Sequence, residues 1–236
     1  MRIAWQWVAG ATTLTSLLAL ALPALSAPTR VDQLVRTALE LEPNTRRGAS
    51  AYLERCARCH GMTAFGNAAN VIPALAGQRT AYIIKQLADF AELEREGRDM
   101  HQVVSKPGMS EPQVWADLAA HLSALPTTQT PETGNGEGLE LGEAIYHEQC
   151  ASCHDDDARG DEDGFIPSLR DQHYSYLVRQ MRSLAAWHRR NVDADLVRFL
   201  DSLDTEELTS VSDYLSRQRG STRDRAQLRD DGTLRN

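Results

Sequence analysis

The chain has 236 residues, a formal net charge of -8 and 6% aromatic residues. That length allows one large or two small domains, and the acidic balance argues against nucleic acid or an anionic membrane surface as the partner. So few aromatic side chains are thin for two conventional cores, which leaves room for apolar bulk of another kind.

Residues 1–26 read as a secretory signal. Arg2 is the charge before the apolar run, Val8 to Leu22 is apolar, and Ala24-Leu25-Ser26 puts small residues at a cleavage site. The apolar run is ~15 residues, short of the ~20 that span a bilayer. The mature protein is therefore expected to be exported and soluble, with no membrane insertion once the signal is cut, which in a bacterium means the periplasm, an uncleaved N-terminal membrane anchor being the lesser alternative. Residues 27–43 follow as a helical extension. Val31, Leu34, Val35, Ala38 and Leu39 keep the i, i+3, i+4 rhythm of one helix face, and Pro43 ends it.

From Gly48 the chain repeats itself. Adding 94 to a residue number turns Gly48 into Gly142, Tyr52 into Tyr146, Gly66 into Gly160, Ile72-Pro73 into Ile166-Pro167, Gln78 into Gln172, Tyr82 into Tyr176 and Gln86 into Gln180. A match this dense implies duplication. The expected domains are 44–125 and 139–219, joined by a Pro/Gly/Thr-rich linker at 126–138 and followed by a charged tail at 220–236 that is expected to be disordered. Each domain reads as all-α. One helix carries Gly48 or Gly142, a central helix starts near Arg79 or His173, and a last helix starts at Ser110 or Asp204. Ser110-Glu111-Pro112-Gln113 and Asp204-Thr205-Glu206-Glu207 both have the form of a capping box.

Both copies hold the same pentapeptide, Cys56-Ala57-Arg58-Cys59-His60 and Cys150-Ala151-Ser152-Cys153-His154, and these use all four cysteines of the chain. Cys-x-x-Cys-His reads as c-type haem attachment. The two thiols hold the haem covalently, and His60 or His154 supplies an axial nitrogen to its iron. A zinc site, a redox dithiol and disulfides are the competing readings of Cys-x-x-Cys. None of them explains a histidine directly after the second cysteine in both copies. Two covalent haem c groups are the expected cofactors.

The second axial ligand divides the copies. Met62 is too close to His60 to reach the opposite haem face, and Met109 reads as core. Met100, in the polar loop Glu96 to Met100, is the candidate of domain 1. Counting 94 onward from it gives Ala194, which cannot ligate. For haem 2, His188, Met181 or no protein ligand stay open. Pro73 and Pro167 have two readings, an ordinary turn or a carbonyl that accepts the other ring N–H of each proximal histidine.

These motifs, with Gly66-Asn67, Ile72 to Gln78, Tyr82, Gln86-Leu87 and Met100, resemble the dihaem class I cytochromes c of the cytochrome c4 family. The resemblance spans Asn44 to Arg219. It implies two tandem class I cytochrome c domains related by a pseudo-twofold, haems close enough for fast exchange, and Met ligation in both halves, from which Ala194 departs. It further implies a shuttle for single electrons, with redox proteins as partners, between a quinol-oxidising complex or dehydrogenase and a terminal oxidase or reductase. The competing expectation is an enzyme subunit or small-ligand sensor that uses an open site on haem 2.

Overall fold

A computed structural model of the chain describes residues 27–128 and 130–220. The expected signal, and all but the first residue of the expected tail, lie outside the described residues. The described chain is helical, with three isolated bridges as its only β pairing. The first half holds α1 (Arg30–Glu40), α2 (Thr45–Arg55), α3 (Ala57–His60), α4 (Thr80–Ala91), α5 (Arg98–Val104) and α6 (Pro112–Ser123). The second half holds α7 (Leu139–Ile145), α8 (Ala151–His154), α9 (Tyr174–Ala185), α10 (Ala194–Ser202) and α11 (Thr205–Ser216).

The first and last helices of each half cross at a glycine. A Cβ on Gly48 would lie 2.0 Å from the Asp117 carbonyl oxygen, and one on Gly142 would lie 2.2 Å from that of Ser210. No other residue allows that approach. Around the crossing of α2 and α6, Tyr52, Ile84, Trp115 and Leu118 are buried. The second half builds a smaller core from Tyr146, Leu177, Val211 and Leu215. Helix α1 widens the difference. It starts at a capping box between Thr29 and Asp32 and buries Val31, Leu34, Val35 and Ala38 against α4 and α6, while Leu39 stays 44% exposed.

The repeat carries a register change that counting 94 throughout overlooks. Helices α4 and α9 do match at 94. Beyond them the equivalent residues are 93 apart. Gly48 and Gly142 abut Asp117 and Ser210, buried Val104 matches buried Val197, and α6 matches α11 end to end. One residue is thus missing between Arg190 and Val197. The counterpart of Met100 is Asp193, and Ala194 is the first residue of α10. The caps follow the same register. Asp204 and Glu207 form the expected capping box of α11, but α6 is capped at Glu111, with Pro112 at its first position and no side-chain bond from Ser110. Proline suits that position because its missing N–H would have no helical acceptor there.

The two halves meet across a pseudo-twofold axis written in paired hydrogen bonds. The Gln172 side chain accepts from Ala74 N and donates to Ala74 O, both at 3.0 Å. The Gln78 side chain does the same with Ser168, at 2.8 and 2.9 Å. Glu96 N donates to His188 O, Arg190 N donates to Glu94 O, and Arg95 pairs with Arg189 on the axis. Buried His173 ties in the connecting segment. Its Nδ1 accepts from Glu132 N at 3.1 Å, so its Nε2 donates to Phe65 O at 2.8 Å.

Candidate haem centres

Each pentapeptide forms one short helix between a tyrosine and a proline. Tyr52 and Tyr146, both 0% exposed, donate their hydroxyls to the carbonyl of the residue after each histidine, Gly61 (2.6 Å) and Asp155. This clamps the end of α3 and α8. All four cysteines are free thiols, with Cys56 and Cys150 partly buried and Cys59 and Cys153 exposed. Burial, and secondarily the neighbouring thiol, pushes Cys56 and Cys150 up to about 11. Among the described residues no group of three or more His, Cys, Asp or Glu is gathered to hold a metal ion, so the two pairs do not assemble a four-ligand zinc site.

The histidines are oriented by carbonyls. His60 Nδ1 lies 3.1 Å from Pro73 O, and His154 Nδ1 lies 3.1 Å from Pro167 O. Burial lowers both pKa values, against the partial pull of those carbonyls, which favours neutral rings. A neutral ring donating from Nδ1 keeps its Nε2 lone pair free for a metal, the tautomer that proximal ligands take. Gly66 and Gly160 hold the proline loops in place. Their φ values are +75° and +70°, and a Cβ on either would come within 2.4–2.6 Å of the Ile-Pro backbone. Two thiols on one turn, a neutral imidazole beside them and a carbonyl behind it fit a covalently held haem.

Beyond the pentapeptides the copies part. Met100 is half-buried in the first turn of α5, so its segment is helical and not the irregular loop expected from its polarity. It precedes the fully buried Val104 by four residues and shares its helix face. In the second half Asp193 is exposed and spends its carboxylate as the N-cap of α10, accepting from Asp195 N (2.7 Å) and Leu196 N (3.3 Å). The His188 ring is half-exposed, with Nδ1 3.9 Å from Glu96 of the first half. Met181 packs beside Leu177 and Val211, and its sulfur accepts from Ser212 Oγ at 3.5 Å. Met62 is 73% exposed, while buried Met109 accepts from Trp115 Nε1 through its carbonyl.

The Cytochrome c family profile matches residues 139–218. Cytochrome c4 of Thiocapsa roseopersicina is 30% identical over 171 residues, covering 68% of this chain and 85% of that one. The thiosulfate dehydrogenase electron acceptor of Stutzerimonas stutzeri (strain A1501) is 29% identical over 182 residues, covering 73% and 82%. The crystal structure of reduced recombinant cytochrome c4 from Pseudomonas stutzeri superposes with a TM-score of 0.65 at 22% identity, covering 74% of this chain and 98% of that one.

Proposed function

Because the chain belongs to the cytochrome c4 family, and so is a dihaem electron carrier with two covalent haem c groups, we propose that it shuttles single electrons in the periplasm. The donor in this reading is a quinol-oxidising complex or a dehydrogenase, and the acceptor is a terminal oxidase or reductase. Each haem, when bound, supplies an iron that gains or loses one electron. The chain's own residues do the rest. Cys56 and Cys59, with Cys150 and Cys153, hold the two groups. His60 and His154 face them with neutral rings oriented by Pro73 and Pro167. Met100 would offer the first a soft neutral sulfur, a ligand that favours the reduced state.

The observation that carries this reading is how the two histidine loops meet. Ala74 follows Pro73 and is bonded to Gln172, and Ser168 follows Pro167 and is bonded to Gln78. The two histidine loops thus meet at one interface, which supports exchange within the molecule. A dehydrogenase donor is supported by the relative named as an electron acceptor of thiosulfate dehydrogenase. Pulse reduction of the purified holoprotein tests it. The expected result is a redistribution between two haems whose rate does not depend on protein concentration. A rate that rises with concentration would contradict it.

Asp193 favours a second reading for the second half. Its carboxylate is engaged by two backbone N–H groups and the His188 ring lies beside Glu96, so neither is free at the position where Met100 stands in the first half. An open position there would accept a small neutral ligand, which suits an enzyme subunit or a sensor. Two low-spin haems indifferent to carbon monoxide and cyanide would reject this reading.

A further inference from the structure

The second half holds a file of aromatic rings that leads from its pentapeptide to the surface. Tyr146 is fully buried in one cluster with Cys150, and its hydroxyl donates to the carbonyl of Asp155, the residue after His154. Half-buried Tyr214 lies against it, with ring centroids 5.6 Å apart. The Tyr214 hydroxyl lies 3.2 Å from Nε2 of exposed His147, and His147 Nδ1 faces Asp156 at 3.9 Å. The first half is built differently at both outer positions. His121 stands at the Tyr214 position, 5.8 Å from the Tyr52 ring, and exposed Leu53 stands at the His147 position.

Aromatic rings at such separations are in contact, and contacts of this kind are the steps by which a one-electron vacancy crosses a protein. A phenol gives up an electron far more readily when its proton leaves with it. That requires a base within hydrogen-bond reach of the hydroxyl, and His147 meets the requirement. Burial, and then Glu143, pushes the Tyr214 pKa up, so its hydroxyl is protonated and can donate. A neutral His147 ring accepts at Nε2 and turns its Nδ1–H toward Asp156, whose charge favours the imidazolium formed when the proton arrives.

We propose that Tyr214 is a redox-active tyrosine that carries oxidising equivalents from the second haem site to the surface after hydrogen peroxide has reacted there. The proposal rests on the open position in the second reading above. In the step itself the O–O bond of the peroxide breaks. The peroxide takes one electron from the reduced iron of the second half and one from Tyr214 through the Tyr146 ring. With two protons from solvent it leaves as two waters. Tyr214 passes its own proton to His147 Nε2 and becomes a neutral phenoxyl radical. The electron-carrying activity of the protein then returns an electron to Tyr214, and His147 returns the proton. Asp193 in place of Met100 and Tyr214 in place of His121 are separate departures from the first half, and both fall on the second.

The test mixes reduced, fully loaded holoprotein with hydrogen peroxide, freeze-quenches it and records electron paramagnetic resonance, with ring-deuterated tyrosine in a parallel sample. The expected result is a radical whose hyperfine pattern narrows on deuteration. It is lost in Tyr214→Phe, which removes one hydroxyl and keeps the ring. Its yield falls in His147→Leu, which copies the first half. Carbon monoxide binding to the reduced second haem establishes the open position separately. A protein that binds carbon monoxide yet forms no tyrosine radical, or forms it undiminished in Tyr214→Phe, overturns the Tyr214 assignment alone. A protein that binds none overturns the open position and this proposal with it.

Discussion

The two halves share one frame and differ in what closes it. In both, a tyrosine clamps the pentapeptide helix, a proline carbonyl aims the histidine, and a glycine lets the outer helices touch. The first half then adds α1, Trp115 and Met100. Among the described residues the second half has no counterpart of α1, places Leu208 at the Trp115 position, and puts a helix cap where the methionine stood. Selection on the shared elements concerns holding and orienting a haem. The unshared ones leave the second half with the smaller core.

The largest expected effect swaps the halves at that position. Met100→Ala abolishes the sulfur-to-iron charge-transfer band, and Asp193→Met adds a second one, at some loss of the α10 cap, about 1 kcal/mol. Near-infrared absorption reads both. A band that survives Met100→Ala would assign the sulfur elsewhere, and Met181 would be the next to test.

Next come the helix crossings. Gly48→Ala and Gly142→Ala each force a Cβ into a backbone carbonyl and cost about 3 kcal/mol or more. Thermal unfolding should show the two costs to be alike, because the two approaches are alike at 2.0 and 2.2 Å. Unequal costs would mean that one half relaxes where the other cannot.

A smaller effect separates Asp117 from its counterpart Ser210. Asp117 accepts from Asn44 N, Arg47 and Gln113. Burial works against its charge, but these bonds outweigh it and hold the carboxyl below its ordinary value of 3.8. A depressed folded-state pKa contributes stability that is complete above the unfolded value and is lost as pH falls through the folded one. Asp117→Ala should cost about 2 kcal/mol at neutral pH, and the gap from wild type should narrow in acid below about pH 4. Ser210→Ala should cost less and show no such narrowing. Denaturant titrations across pH measure both.

The smallest concerns the residue after each histidine. Gly61 has φ +80° and ψ 159°, while Asp155 holds φ +65° and ψ 160°, a region that suits glycine. Asp155→Gly should gain about 1 kcal/mol, the relief of strain exceeding the loss of an exposed pair with Arg159. A melting temperature that falls would show that this pair matters more than the backbone.

Much of this was legible because duplication prints each feature twice. The haem pentapeptides, the glycine crossings and the α1 face were all readable as types at spacings. The one-residue gap was not, because 94 holds as far as Arg190, although past it 94 sets Leu118 and Leu122 against Ser212 and Ser216, where 93 pairs them with Val211 and Leu215. Its signal lay in the caps, where Asp204 answers Glu111 and Pro112 could not follow Ser110 as an ordinary cap. The arginine pair was hidden for a different reason. Arg95 stands among glutamates and Arg189 beside a second arginine, settings that read as solvated, and only the fold turns both inward. That the two stand 94 apart was the available hint. His173 likewise read as a helix start, whereas it also bonds Phe65 and Glu132 across the interface.

The difference between the halves is tested most directly by titrating the fully reduced holoprotein with carbon monoxide and counting molecules bound per chain of two haems. One bound rapidly in the unaltered protein, rising to two in Met100→Ala, is the predicted result and places the first in the second half. None bound, or two bound alike in the unaltered protein, would contradict the account.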